Sequence, residues 1–225
     1  MENIVEKLFK LSDGEYRKFH SALCPNIDNI IGVRIPELRN IAKRIAKENP
    51  QEFLKCIDDT YYETIMIYGL VIGYMKSTLE EKIKYLDIFV PKINNWATCD
   101  CCCSTYKFTN NNLEEMWTYI LKYLKSENEF ELRFTVIMMM DYYLNDRYID
   151  KVFECINDID NEGYYIKMGI AWLVSVAFVK YEEKTRAFLL KGSLDDLTYN
   201  KALQKIIESN RVDKKTKDEI RKMKK

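Results

Sequence analysis

At 225 residues with 47% hydrophobic content, the chain can bury a sizeable core, as one large domain or two small ones. Thirty-five basic residues balance 35 acidic ones, so no net charge draws the whole molecule toward phosphates, and any nucleic-acid surface has to be local. Seven Gly and four Pro are too few to punctuate a β-sandwich or barrel, which leaves an all-helical chain.

The first segment, Glu2 to Leu11, carries acids at Glu2 and Glu6 among its apolar residues, unlike the basic and then apolar stretch of a signal peptide. It pairs with a second short amphipathic segment, Gly14 to Leu23. Pro36 then opens a well-marked helix, because its fixed φ suits the first turn. Leu38, Ile41, Ala42 and Ile45 form the apolar stripe of that helix, while Arg39, Lys43 and Lys47 repeat every four residues on another face. Pro50 marks the next break. The longest apolar run, Ile65 to Met75, has 11 residues and is too short to span a bilayer, so a soluble, cytoplasmic protein is expected.

From there, apolar positions at i, i+3, i+4 and i+7 place helices starting near residues 61, 95, 128, 162 and 196, separated by 34, 33, 34 and 34. A second helix follows each start, over about 79 to 89, 112 to 125, 146 to 158, 182 to 190 and 213 to 224. A constant step with two helices per unit is the signature of a solenoid. The expected architecture is all-α, a right-handed α-solenoid of HEAT-like two-helix repeats forming a single domain over residues 1–225. The final stretch, Arg211 to Lys225, holds eight basic and three acidic residues, so charge is unevenly distributed along the balanced chain.

Seven cysteines include Cys99, Cys101, Cys102 and Cys103, adjacent in sequence and unlike a disulfide framework. Reduced thiols packed as small core residues are expected; no CxxC partner or nearby His completes a metal site with the cluster, so neither metal nor cofactor is expected. The single histidine, His20, sits in an amphipathic segment beside Phe19, which argues against Ser/His or Cys/His hydrolysis. The run Met138 to Met140 followed by Tyr142 and Tyr143 reads as a core helix.

Four residues occupy related places in successive repeats. Trp96 and Asp100, one helical turn apart, are followed 37 residues after the tryptophan by Arg133 and a further 39 residues on by Trp172. A superhelix can bring such positions onto one concave face. The flanking sequences carry a resemblance. Ile31 to Lys43, IGVRIPELRNIAK, resembles the GxRxPxLRxxAK opening of AlkD-type alkylpurine DNA glycosylases, and WATCD at 96–100 resembles their WDTVD. ELRFTVI at 131–137 looks like their arginine-bearing helix, and YIKMGIAW at 165–172 looks like their FxxKAIGW. The four fall in family order from about residue 15 to 210.

That resemblance implies excision of N3- or N7-alkylated purines from duplex DNA by hydrolysis of the N-glycosidic bond, without deep flipping of the base. It further implies catalytic roles for Asp100, Trp96 and Trp172 and a phosphate anchor at Arg133. Basic residues at comparable places, Arg39, Lys43, Lys47, Lys167, Lys201 and Lys205, are the other candidates for phosphate contact. The chain departs from the family pattern at Phe134 and Ser175, where active relatives tend to carry arginines, and at Ala97, where they carry an acid. The alternative is a non-catalytic helical-repeat module that keeps the fold and binds a partner on its concave face.

Overall fold

A computed structural model describes residues 4–225, so Glu2 lies outside the described residues. Among those residues all regular structure is helical, in fourteen α-helices and two 3-10 turns, with no strand. The helices α5 (Tyr62–Tyr74), α7 (Trp96–Cys103), α9 (Glu129–Tyr142), α11 (Tyr164–Lys180) and α13 (Asp196–Glu208) begin within two residues of the five starts expected from apolar periodicity. Their followers are α6 (Leu79–Phe89), α8 (Leu113–Leu121), α10 (Ile149–Asn157), α12 (Glu182–Leu190) and α14 (Lys214–Arg221). The helix α8 stops four residues short of expectation. The amides of Tyr123 and Leu124 turn to carbonyls three residues back, tightening the chain out of the α-helix. Upstream lie α1 (Ile4–Lys10), α2 (Gly14–Leu23), α3 (Ile35–Glu48) and α4 (Pro50–Leu54), with proline in the first turn of both α3 and α4.

The chain falls into two compact units, one ending at Asn112 and the other spanning Leu113–Lys225. In the first, α5 packs against α3 on one side and α7 on the other, with α6 behind it. In the second, α11 stands in the same way between α9 and α13; α8 packs on α9, α12 on α11 and α14 on α13. The amino-acid pattern follows these positions. Eleven of the 13 residues of α5 are buried, so it has no solvent face and shows no amphipathic stripe. In contrast, α10 buries only Ile149, Val152, Phe153 and Ile156, at i, i+3, i+4 and i+7, and leaves the rest to water.

Close approach around α5 depends on small residues. A Cβ at Gly69 would lie 2.3 Å from the Phe89 ring of α6 and 2.6 Å from the Cys102 Sγ of α7, so both neighbours press on bare backbone. Cys99, Cys102 and Cys103 have no exposed surface, and burial pushes the Cys102 thiol well above its ordinary value. These cysteines are packing residues of α7, as the sequence suggested. Met138 and Met139 are fully buried in α9, again as expected.

Two buried ionisable groups tie segments of the first unit together. The Glu63 carboxylate in the first turn of α5 is wholly enclosed; its Oε1 accepts from the amides of Gly32 (2.7 Å) and Val33 (3.2 Å), and its Oε2 from that of Ile31 (3.0 Å). It thereby fixes the segment that leads into α3. Gly32 holds a φ of +100°, and a Cβ there would meet the Arg17 Cβ at 2.6 Å, so only glycine fits. On α6, the Lys82 ammonium donates to the carbonyls of Ile72 (2.8 Å) and Met75 (2.7 Å), two acceptors left over at the end of α5, and lies 4.7 Å from the centre of the Phe108 ring. His20 is also buried, stacked on Tyr16 with ring centroids 5.4 Å apart. Its burial pushes the imidazole below the ordinary value against the pull of Glu63.

Two outcomes follow from these anchors. Glu63→Ala leaves three enclosed amides without acceptors and is expected to cost about 3 kcal/mol, with Glu63→Gln intermediate because it retains one acceptor oxygen. Urea unfolding midpoints check the order; a Gln variant as unstable as Ala contradicts it. For Lys82, burial pushes the amine down to about 8 from an unfolded value of 10.5. Between these values the unfolded chain binds more protons, so this group makes stability rise with pH. From about pH 9, Cys24, Cys102 and Cys155, whose thiols burial raises, favour the unfolded state and oppose this rise, so it is read as a difference between two chains. Denaturant titrations from pH 8 to 10 are expected to show the stability of the native chain increasing relative to that of Lys82→Met.

Candidate functional site

In the first unit, Trp96 and Asp100 occupy the first two turns of α7. Asn95 caps this helix, its side chain accepting from the Thr98 amide at 2.8 Å, so the tryptophan sits at the first helical position with its backbone fixed. The indole is half-buried, and its Nε1 donates to the Leu23 carbonyl at the end of α2, 2.9 Å away. That bond sets the ring plane. Asp100, one turn on, is likewise half-buried. Beside them, Arg39 of α3 donates from Nη1 to the Tyr74 hydroxyl at 2.8 Å, and from Nη2 to the Cys101 carbonyl at 3.3 Å and the Ser104 hydroxyl at 3.4 Å.

Arg39 is therefore a strut between α3, α5 and the C-terminal half of α7, which its place in a row with Lys43 and Lys47 did not reveal. Lys43 is exposed and lies 5.5 Å from the centre of the Tyr74 ring, while Lys47 is exposed one turn further along α3. Of the three, Lys43 and Lys47 hold charge in open solvent.

In the second unit, Arg133 is only 4% exposed. Its Nη1 donates to the Tyr165 carbonyl at 2.5 Å, and it lies along α11 where Gly169 has no side chain; a Cβ there would come within 3.3 Å of Nη1. A guanidinium reaching a phosphate from this position has either to use another of its donors or to leave that bond. Lys167, 8% exposed, pairs with Glu162 at 2.6 Å and Asp195 at 3.5 Å, and the Glu162 hydrogen bond raises its ammonium above the ordinary value. Lys201 borders a separate surface hollow with Asp196, Leu197 and Lys224.

Trp172 and Lys205 do come together. They line one cavity of about 430 Å³ along α11 and α13, with Ser175, Val176 and Val179 from α11 and Glu208, Ser209 and Arg211 from the end of α13 and the turn beyond. The Trp172 side chain is among the few large apolar groups left open, with the residue 38% exposed. The Ser175 hydroxyl turns back onto the Trp172 carbonyl at 2.8 Å and leaves the space above it clear. Sequence reasoning missed Arg211. It stands 39 residues after Trp172, the step that also separates Trp172 from Arg133, so the spacing that singled out the other landmarks was a usable signal.

What these surfaces can do follows from their parts. Each unit offers a partly open indole, able to cover a cationic ring or sugar by its π face. The first places a carboxylate one helical turn from its indole, and the second places two cations beside its own. Among the described residues, no group of three His, Cys, Asp or Glu side chains could hold a metal, and no helix is long and apolar enough to cross a membrane.

No curated protein matches the chain. A family model described as DNA alkylation repair enzyme matches residues 4–206, which takes in Trp96, Asp100, Arg133 and Trp172. With nine-tenths of its length covered by that match, this chain belongs to the DNA alkylation repair enzyme family.

Proposed function

We propose that the protein releases N3- or N7-alkylated purines from duplex DNA by hydrolysing the N-glycosidic bond, and that its helix pairs are HEAT-like repeats. The observation that carries this reading is the pair Trp96 and Asp100, both half-buried at the start of α7 within the family match. An alkylated purine is already a cation and departs without the protonation that an ordinary base needs. What remains is to stabilise the oxocarbenium-like sugar and position a water, and a carboxylate such as Asp100 suits both tasks. An indole, Trp96 in the first unit or Trp172 in the second, can cover a charged nucleotide, a contact that contributes about 0.5 to 2 kcal/mol. Phosphate contacts would come from the exposed Lys43, Lys47 and Lys201 and the half-buried Lys205, with Arg39 and Arg133 offering donors beyond their internal bonds and Lys167 exchanging its carboxylate partners.

The same engagement of Arg39, Arg133 and Lys167 favours a second reading, a non-catalytic repeat module with weak affinity for DNA or none. Purified protein incubated with methylated duplex separates the two: free methylpurine above the spontaneous depurination rate supports the glycosylase, and none supports the module.

If base is released, Asp100→Asn is expected to slow release about a hundredfold, a loss of roughly 3 kcal/mol, with little change in DNA affinity, since the charge acts chiefly as cation develops on the sugar. Single-turnover rates and binding isotherms on the same duplex provide the comparison; equal losses in both would assign Asp100 to binding. Trp172→Ala is expected to weaken both, because covering a cationic nucleotide starts in the ground state.

A further inference from the structure

We propose that the hollow beside Trp172 is a phosphodiester subsite in which Arg211 and Lys205 together hold one backbone phosphate while the Trp172 indole covers the adjoining sugar and base. The inference rests on the reading of the protein as DNA-binding and adds to it a residue, Arg211, beyond the stretch that the family model matches.

The charge in the hollow is unspent. Several cations of the second unit are committed to carboxylates: Lys167 to Glu162 and Asp195, Lys184 to Asp150, Arg186 to Glu182 and Glu219. Lys205 and Arg211 have no ion-pair partner among the described residues. The single acid in the lining, Glu208, accepts from the Gln204 side chain at 2.7 Å and keeps its charge, so two cations against one acid leave a net positive hollow. Two cations in a cleft beside an open aromatic ring suit a group that is anionic at one end and planar at the other, as a nucleotide unit is.

The frame that holds Arg211 is ordered by the chain itself. The helix α13 ends at Glu208, the Arg211 amide donates to the Ser209 hydroxyl at 3.2 Å, and Asp213 caps α14 by accepting from the Thr216 amide at 3.1 Å. Arg211 is thus presented by a short turn pinned at both ends. Only its side chain has to be ordered on binding, which keeps the entropic cost low. The floor of Val176 and Val179 is apolar, so water over it is displaced without loss of hydrogen bonds.

The test measures binding of the full chain to a labelled duplex carrying one abasic-site analogue, and to the intact duplex, across a series of salt concentrations. Arg211→Ala and Lys205→Ala are each expected to weaken binding about five- to tenfold. Each should also lower the log–log salt slope by about one, and the double variant by about two. Lys184→Ala, whose ammonium is paired with Asp150, is expected to leave both quantities unchanged. Thermal melts confirm that the exposed substitutions leave folding intact. If the native chain binds with a steep salt slope and the double variant matches it, the subsite is overturned while the DNA-binding reading stands. If the native chain binds neither duplex at low salt, both are overturned.

Discussion

A helix that is apolar on every side has to be enclosed, and in this protein α5 imposes that condition on the first unit, as α11 does on the second except along the face that carries Trp172. Each stands between two neighbours of its own row and has a further helix behind it, so neither can bury its surface without them. The requirement explains what would otherwise be odd chemistry at the contacts. Gly69 and the fully buried cysteines of α7 are there because three helices converge where a larger side chain would hold them apart. Glu63 and Lys82 are there because enclosing α5 also enclosed the amides of residues 31–33 that lead into α3 and the carbonyls at the end of α5, and each side chain supplies the hydrogen bonds that water no longer can.

Packing of this kind competes with binding for the same residues. Arg39, Arg133 and Lys167 carry the charges that a phosphate would need, yet each is turned toward a carbonyl, a hydroxyl or a carboxylate of its own unit. A guanidinium with five donors can serve a helix end and still present an edge outward, so such a residue is able to hold the scaffold and touch a ligand in turn. An ammonium buried between Glu162 and Asp195 has less freedom, because leaving one carboxylate exposes it to the other. The family pattern identifies the positions; the local partners decide how much charge reaches solvent.

The fold was legible because the helix period is written in apolar residues that the packing needs. The starts at Tyr62, Trp96, Glu129, Tyr164 and Asp196 follow the sequence reading within two residues, as amphipathic or fully apolar runs, three of them capped by the side chains of Asn95, Asn128 and Asp195. Partnership was not legible. Nothing local in Arg39 distinguishes it from Lys43 and Lys47 four and eight residues on, since its difference lies in Tyr74, Cys101 and Ser104, up to 65 residues away. Arg133 looked like a surface charge for the same reason: the carbonyl it meets belongs to another helix. Glu63 and Lys82 passed unremarked, because a lone acid or base in an apolar stretch gives no sign of the backbone groups it will satisfy. The cavity beside Trp172 is readable only once α13 and its following turn lie against α11.

Lys82 has one more property that follows from where it sits. An amine is acylated or reductively alkylated only through its neutral form, and pushing the group down to about 8 makes that form abundant in mildly alkaline solution, where most lysines remain protonated. The same amine is 4% exposed and occupied by two carbonyls, so reagent cannot approach while α5 and α6 stay together. The burial that favours the neutral form also closes access, and opening the pair returns the amine to its ordinary value before reagent reaches it. The rate at which Lys82 is labelled, relative to the exposed lysines around it, is therefore a clock for the opening of that helix pair, one that the chain carries without any inserted probe.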